Sequence, residues 1–267
     1  MPPQVSNKLN FTLNPNTFND FVSKVDDLCR ISDTVKLKID SESILMYSMM
    51  GSENIILAFK NYELKTDEYF NIKEDLEYTL NIIITSAKKF VKNLAFIKQS
   101  EKILFEVTHK FVNDDDTVSD ARTVQIKNGK FKLQIQTGEN SEIRDLNKSS
   151  LSQRMNLKNK KWSFTVSNSD FNDIRKLATI NSDDSRRILH LNIEDYKVKL
   201  SELSLWELEV DEVTENNKHL MFNKSFLPCI NDSGKPVQFH VFETFILVKD
   251  DISNLMISFE QSFSDHD

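Results

Sequence analysis

The chain has 267 residues, 28% charged and 39% hydrophobic, with a formal net charge of −7, which leaves room for one large domain or two of ordinary size. No apolar run reaches the length of a membrane span, the opening MPPQVSNKLN lacks an apolar signal core, and Cys29 and Cys229 stand far apart, so no membrane partner is expected and the expected setting is reducing and intracellular. The four glycines (Gly51, Gly129, Gly138, Gly234) are too scattered for a phosphate-cradling loop, which weighs against a nucleotide-dependent enzyme.

In chain order, Lys8–Leu13 alternates as a strand does, and Asn14-Pro15-Asn16-Thr17 marks a helix entry. Phe18, Phe21, Val22, Val25 and Leu28 then form a helical apolar stripe reaching about Arg30. Alternating runs follow at Val35–Ile39, Ile44–Met49 and Ile55–Leu64, with turns at Ser41-Glu42 and Gly51-Ser52-Glu53. After an acidic stretch, the strand Leu76–Ile84 feeds into a second helix, Thr85–Gln99. Lys102–Phe111 is the next strand and Asn113–Asp120 a solvated loop. Thr123–Lys127 and Phe131–Gln136 are expected to pair across Asn128-Gly129, the strongest hairpin signal in the chain.

Glu139–Lys160 has no sustained period and reads as a linker with a short apolar anchor at Leu151, Met155 and Leu157. The pattern then restarts. Trp162–Val166 is a strand, and Phe171, Ile174, Leu177 and Ala178 stripe a helix capped by Asn168 or Ser169. Strands follow at Ile188–Ile193, Tyr196–Leu200 and Leu205–Val210. His219–Phe222 leads into a short helix, Lys224–Ile230, distorted by Pro228. Val237–Phe242, Phe245–Val248 and Leu255–Phe259 close the pattern ahead of an acidic ending. The repeat predicts an α+β fold of two similar domains, 1–138 and 161–267, joined by the linker 139–160. Each domain would lay two helices on one face of antiparallel sheet.

The helix Thr85–Gln99 carries Lys88, Lys89, Lys92 and Lys98 and no acid. Ala87, Phe90, Val91, Leu94 and Ala95 recur at helical spacing, so Lys88, Lys89 and Lys92 point away from the packed face. Such a face is either simply solvated or holds a polyanion. Lys24 and Arg30 on the first helix, Arg175 and Lys176 on the third and Lys224 on the fourth extend the set, although Asp26, Asp27 and Asp173 are interspersed there.

At this point the chain resembles DNA polymerase sliding clamps: its repeated order is like that of proliferating cell nuclear antigen, and its size and ending are like those of T-even-type phage clamps. The resemblance rests on IDSESILMYSMMGSENIILAF with Ser48-Met49 before Gly51-Ser52, on FTVSNSDFNDIRKLATIN at Phe164–Asn181, and on the closing LMISFEQSFSDHD. Asn113–Asp120 and Glu139–Lys160 are longer than in the compact phage version.

The resemblance implies a ring-shaped processivity factor, a homotrimer with helices lining the hole around duplex DNA. Partners would be a DNA polymerase and a clamp loader, and the setting the cytoplasm of a phage-infected bacterium. Lys88, Lys89, Lys92, Lys98, Lys24, Arg30, Arg175, Lys176 and Lys224 would face DNA, through phosphate contacts that carry no sequence information. A pocket for hydrophobic partner motifs would be bordered by Met49, Leu151, Met155, Leu157 and Phe259. Free sheet edges would carry the subunit contacts, with Thr123 and Gln134 on one and Leu205 and Leu208 on the other. Lys36, Lys38 and Lys60 would lie on the outside.

Catalytic chemistry finds little support. His109, His190, His219, His240 and His266 are scattered, so neither a metal nor any other cofactor is expected. Asp114-Asp115-Asp116, Asp183-Asp184 and Asp250-Asp251 sit where turns are expected. Neither cysteine has a neighbouring histidine, and the expected protein is not an enzyme. Open alternatives are a clamp-fold factor that forms no ring, an enzyme of DNA metabolism, and a structural phage component.

Overall fold

The computed structural model describes residues 6–51, 55–135, 137–139, 141–146, 148–180, 188–202, 205–231, 234–249 and 253–260. Ser52-Glu53 of an expected turn, Gln136, Asp183-Asp184, Asp250-Asp251, His266 and the acidic ending lie outside the described residues. The chain divides into two compact units, Met1–Met50 with Lys60–Asp145, and Gly51–Phe59 with Leu146–Asp267. The division at 145/146 falls within the stretch read as a linker. The fold is α+β and mostly sheet.

The first unit begins with strand β1 (Asn7–Leu13), a 3-10 turn (Pro15–Thr17) and helix α1 (Phe18–Leu28). Strands β2 (Val35–Ile39), β3 (Ser43–Gly51) and β4 (Ile56–Lys65) follow, β4 giving its Lys60–Lys65 end to this unit. The acidic stretch holds a short helix α2 (Thr66–Tyr69) and strand β5 (Phe70–Ile72), neither legible as period in so few residues. Strand β6 (Thr79–Ile84), helix α3 (Ala87–Leu94) and strands β7 (Ile103–Phe111), β8 (Val118–Asn128) and β9 (Phe131–Ile135) complete it.

Its sheet runs β5-β1-β7-β8-β6-β2-β3, with β9 also on β8. The neighbours are antiparallel except β6 and β8, which pair in parallel over Thr79–Asn81 and Val118–Asp120. That pair departs from the all-antiparallel expectation and starts β8 five residues earlier than the sequence pattern suggests. The stripe of α1 (Phe18, Phe21, Val25, Leu28) and that of α3 (Ala87, Phe90, Leu94) are buried in one core, and α1 packs against α3. Phe11 stacks on Phe105 at 5.1 Å and meets Phe70 at 4.8 Å. Such pairs contribute about 0.5–1.5 kcal/mol each beyond area burial.

The second unit takes helix α4 (Lys148–Arg154) and a 3-10 turn (Leu157–Asn159), then strand β10 (Trp162–Val166) and helix α5 (Asn168–Ile180). The stretch read as a linker with an apolar anchor therefore holds a helix, and Leu151 and Met155 of that anchor are buried while Leu157 is half-buried. Strands β11 (Ile188–Glu194), β12 (Lys197–Glu202), β13 (Trp206–Glu212) and β14 (Lys218–Asn223) form an antiparallel sheet in the order β13-β12-β11-β14. A six-residue 3-10 turn, Lys224–Cys229, lies against α5, with Pro228 inside it as the sequence suggests. Strands β15 (Val237–Val241), β16 (Phe245–Lys249) and β17 (Ser253–Ser258) add to β10 in the order β10-β15-β16-β17. Phe164 stacks on Phe239 at 4.9 Å beneath Phe171 of α5.

Candidate nucleic-acid interface

Helix α3 is held at both ends by residues far away in sequence. At its start the Asp33 carboxylate accepts from the Lys88 backbone N–H at 2.7 Å, and the Asp33 carbonyl accepts from Ala87 N–H at 2.9 Å. A carboxylate on one orphan N–H group and a carbonyl on the next make a favourable helix start. Past the C-terminal end, Asn128 clamps the following turn. Its Oδ1 accepts from Lys98 N–H at 2.8 Å, and its Nδ2 donates to the carbonyls of Lys98, Glu101 and Lys102 at 3.0–3.3 Å. The hairpin it opens turns over Gly129-Lys130, one residue later than expected, because Asn128 itself pairs with Phe131. Gly129 carries φ +55°, where a Cβ would be strained.

With the buried stripe fixed inward, Lys88, Lys89 and Lys92 are exposed and make no ion pair among the described residues. Lys98 lies beyond the helix, in the turn, with its Nζ 3.8 Å from Glu101. The acid-free face is therefore three lysines rather than four.

The other expected DNA-facing residues fare differently. Lys24 is buried at 6% exposure and bonded to Asp20, and Lys224 is buried at 2% exposure on Glu202. Both are corrections. A buried ammonium needs a bonded carboxylate to offset desolvation, and one so held cannot also meet a phosphate. Arg30 is exposed, with Asp27 3.9 Å away. Lys176 is exposed and paired to Asp173 at 3.1 Å, and half-buried Arg175 lies over the Phe171 ring at 5.7 Å. Lys36 and Lys60, expected outside, are fully buried: Lys36 on Asp145 at 2.7 Å, Lys60 on Asp27. Lys38 shares Asp145 at 3.0 Å.

No protein-family model matches the sequence, and neither does any curated protein. Among solved structures the chain is similar to the DNA polymerase sliding clamp from Bacillus subtilis, at 11% identity and TM-score 0.63, over 96% of this chain and 65% of that one. It is similar to PCNA from Thermococcus kodakaraensis at 12% identity and TM-score 0.57, over 95% and 99%. The Helicobacter pylori beta clamp bound to a DNA ligase peptide gives 12% identity and TM-score 0.59, over 97% and 68%. This chain has the sliding-clamp fold. It spans less than two thirds of the Bacillus clamp and nearly the whole of the archaeal PCNA.

The residues read as a partner pocket on a sliding clamp do not share one exposure. Met49, Leu157 and Phe259 are half-buried, whereas Leu151 and Met155 are core residues of their own unit. The last two are thus anchors rather than contact surface. Of the edge residues, Thr123, Gln134 and Leu205 are exposed and Leu208 is half-buried. Leu205 sits in the turn before β13, not in the strand.

The remaining candidates are structural. His109 bonds Ser119 at 2.5 Å and Tyr78 at 3.1 Å, His190 bonds His219 at 2.9 Å, and His240 bonds Ser163 at 3.0 Å. No group of three or more His, Cys, Asp or Glu among the described residues could hold a metal ion. Burial, aided by nearby Asp26, pushes the Cys29 thiol up to about 12, so no thiolate forms near neutral pH. Asp114, Asp115 and Asp116 are exposed in a turn tied by Asn113 and Thr117. No helix among the described residues is long and apolar enough to cross a membrane.

Sequence reasoning missed Asp33, Asn128 and Glu202, which position the candidates. Asn128 left a trace in its turn signal. Asp33 and Glu202 act across 55 and 22 residues, beyond any local pattern.

Proposed function

We propose that this protein is a sliding clamp, three copies closing a ring around duplex DNA and tethering a replicative polymerase. The observation that carries this reading is the acid-free lysine face of α3, in a chain of net charge −7 that has the clamp fold. Lys88, Lys89 and Lys92 would meet phosphates through hydrated, interchangeable contacts, which favour sliding over a fixed grip. Lys98, Arg30, Arg175 and Lys176, each near an acid or a ring, would add less. The acidic remainder repels DNA from other faces. Topological enclosure, rather than affinity, would retain the ring on DNA.

The free edges β9 and β13 are the proposed subunit contacts, with Thr123 and Gln134 on one side and Leu205 and Leu208 on the other. Partner proteins would dock short hydrophobic segments on this chain, in the way the Helicobacter clamp takes a DNA ligase peptide. A separate loader would use the ATP, and the clamp itself would turn over neither ATP nor DNA.

Light scattering tests assembly directly: a ring of three gives about 93 kDa, three times 31.1 kDa. A protein that stays at one chain's mass at every concentration defeats the reading. Partner docking is tested by Met49→Glu, which should weaken polymerase stimulation and leave the assembled mass unchanged.

A further inference from the structure

Strand β5 ends the sheet of the first unit and pairs only with β1 among the described residues. Its neighbours fix the direction of its backbone groups. The Tyr69 carbonyl accepts from Asn14 N–H at 2.8 Å, and Phe70 N–H donates back to the Thr66 carbonyl rather than to β1. Residues of an antiparallel pair face their partner strand and turn away from it alternately. Asn71, opposite Thr12, therefore faces β1, and Ile72, opposite Phe11, turns its N–H and C=O to the open side.

Around this edge lies a cleft of about 520 Å³, contained wholly in the first unit. Buried Phe70 and Leu76 and half-buried Ile72 give it an apolar floor. Asp67 borders it ahead of β5, and Glu74 and Asp75 border it after β5. All three are exposed and without an ion pair among the described residues. No cationic side chain lines the cleft among the described residues. Lys65, close to Asp67 in sequence, is held by Glu68 at 2.9 Å, and exposed Lys73 follows Ile72 outside the lining.

We propose that this cleft takes an extended basic segment of a partner protein, which adds a strand to β5, buries an apolar side chain against Ile72 and Leu76, and sets lysine or arginine side chains beside Asp67, Glu74 and Asp75. The cleft shares no residue with the hydrophobic contact read at Met49, Leu157 and Phe259, and it depends on neither ring closure nor DNA binding.

Charge selects the occupant. A second copy of this chain carries a net charge of −7, and DNA carries a charge on every phosphate, so the carboxylates around one cleft repel both. A cationic segment gains where those two lose. The open backbone of Ile72 selects the conformation, since main-chain hydrogen bonds are how an extended peptide joins a sheet edge. Acids at both ends of a three-residue strand place the cations at both ends of the segment, with the apolar residue between them.

The test titrates the intact protein with a short blocked peptide, valine in its middle and lysine at both ends. Anisotropy of a dye on the peptide gives Kd, and amide hydrogen exchange of the protein gives the place of binding. Exchange should slow at Ile72. Affinity should fall at least about tenfold between low salt and about 0.5 M salt, where the screening length drops below roughly 5 Å. Asp67→Asn with Glu74→Gln and Asp75→Asn should raise Kd at least about tenfold and leave the assembled mass unchanged. A peptide N-methylated at its central residues keeps the charges but loses the strand pairing, and it should bind at least about tenfold more weakly. Glutamate in place of lysine should abolish binding. The peptide comparisons use the unaltered protein, so they decide the matter even where the triple variant fails to fold. The proposal is overturned if the lysine peptide does not bind, or if the glutamate or N-methylated peptide binds as well. It is equally overturned if the folded triple variant keeps its Kd, or if exchange slows at Met49 and Phe259 instead of Ile72. Each of those results leaves the ring reading standing.

Discussion

Helix α3 and the 3-10 turn Lys224–Cys229 occupy equivalent places in their units, each between a strand that precedes it (β6, β14) and one that follows (β7, β15). They treat lysine in opposite ways. α3 turns a regular stripe of Ala87, Phe90 and Leu94 inward, so Lys88, Lys89 and Lys92 are driven outward. The turn is too short to have a polar face. Phe226, Leu227 and Cys229 are all buried, and Lys224 is drawn in with them onto Glu202. Lysine on a helical segment is therefore no guide to DNA contact until its burial and its acid partner are known.

The largest expected effect falls on the buried lysine. Lys224→Met leaves the Glu202 carboxylate buried with only Trp206 as a donor among the described residues, which should lower unfolding free energy by about 3–5 kcal/mol in urea titration. The same change should leave the salt slope of DNA binding untouched. A flattened slope would return Lys224 to the DNA face and erase the contrast with α3.

Gly129→Ala probes the surroundings of α3 instead. At φ +55° the substitution should cost about 1–2 kcal/mol, and the Glu101 carboxylate must swing aside for the new methyl. Because Asn128 and Gly129 seat the turn after α3 and fix β9, self-association should weaken along with stability.

Asp145 gives a pH-dependent version of the buried-lysine case. Burial opposes its ionisation, but hydrogen bonds from Lys36 and Lys38 and their charges prevail and hold the carboxyl below its ordinary range. For a carboxylate lowered in the folded state, the stabilisation is fully present above the unfolded value, about 3.9, and is lost as pH falls below it. The stability gap between wild type and Asp145→Asn should therefore be constant from about pH 7 to 5 and shrink below about pH 4. A gap that persists in acid would assign the effect to packing.

The smallest stability effect belongs to α3 itself. Lys88→Ala with Lys89→Ala and Lys92→Ala should shift stability by no more than about 0.5 kcal/mol per site. The salt dependence of DNA binding should nonetheless flatten by about 0.9 in log–log slope for each phosphate no longer neutralised, equally for any duplex sequence. Lys36, Lys38 and Lys60 cannot serve as the external control, being buried or paired. Lys73, Lys158 and Lys218, exposed and without an ion pair among the described residues, are suitable for a matched triple change. Equal losses from both sets would mean that α3 does not line a DNA channel.

The sequence by itself determined the repeated strand–helix order, the stripes of α1, α3 and α5 and the outward lysines of α3. These follow from local period, because a residue's face on one element is set by its spacing from its neighbours. The tertiary structure alone decided which other lysines are buried. Lys36 finds Asp145 at a separation of 109 residues, and Lys60 and Lys224 reach carboxylates on other elements. Likewise the free edges β9 and β13 exist only once their sheets are ordered, since an edge is a property of which strands pair. Whether a charge is held inside or left for a partner depends on groups that long-range packing brings together, and no window along the chain contains both members of those pairs.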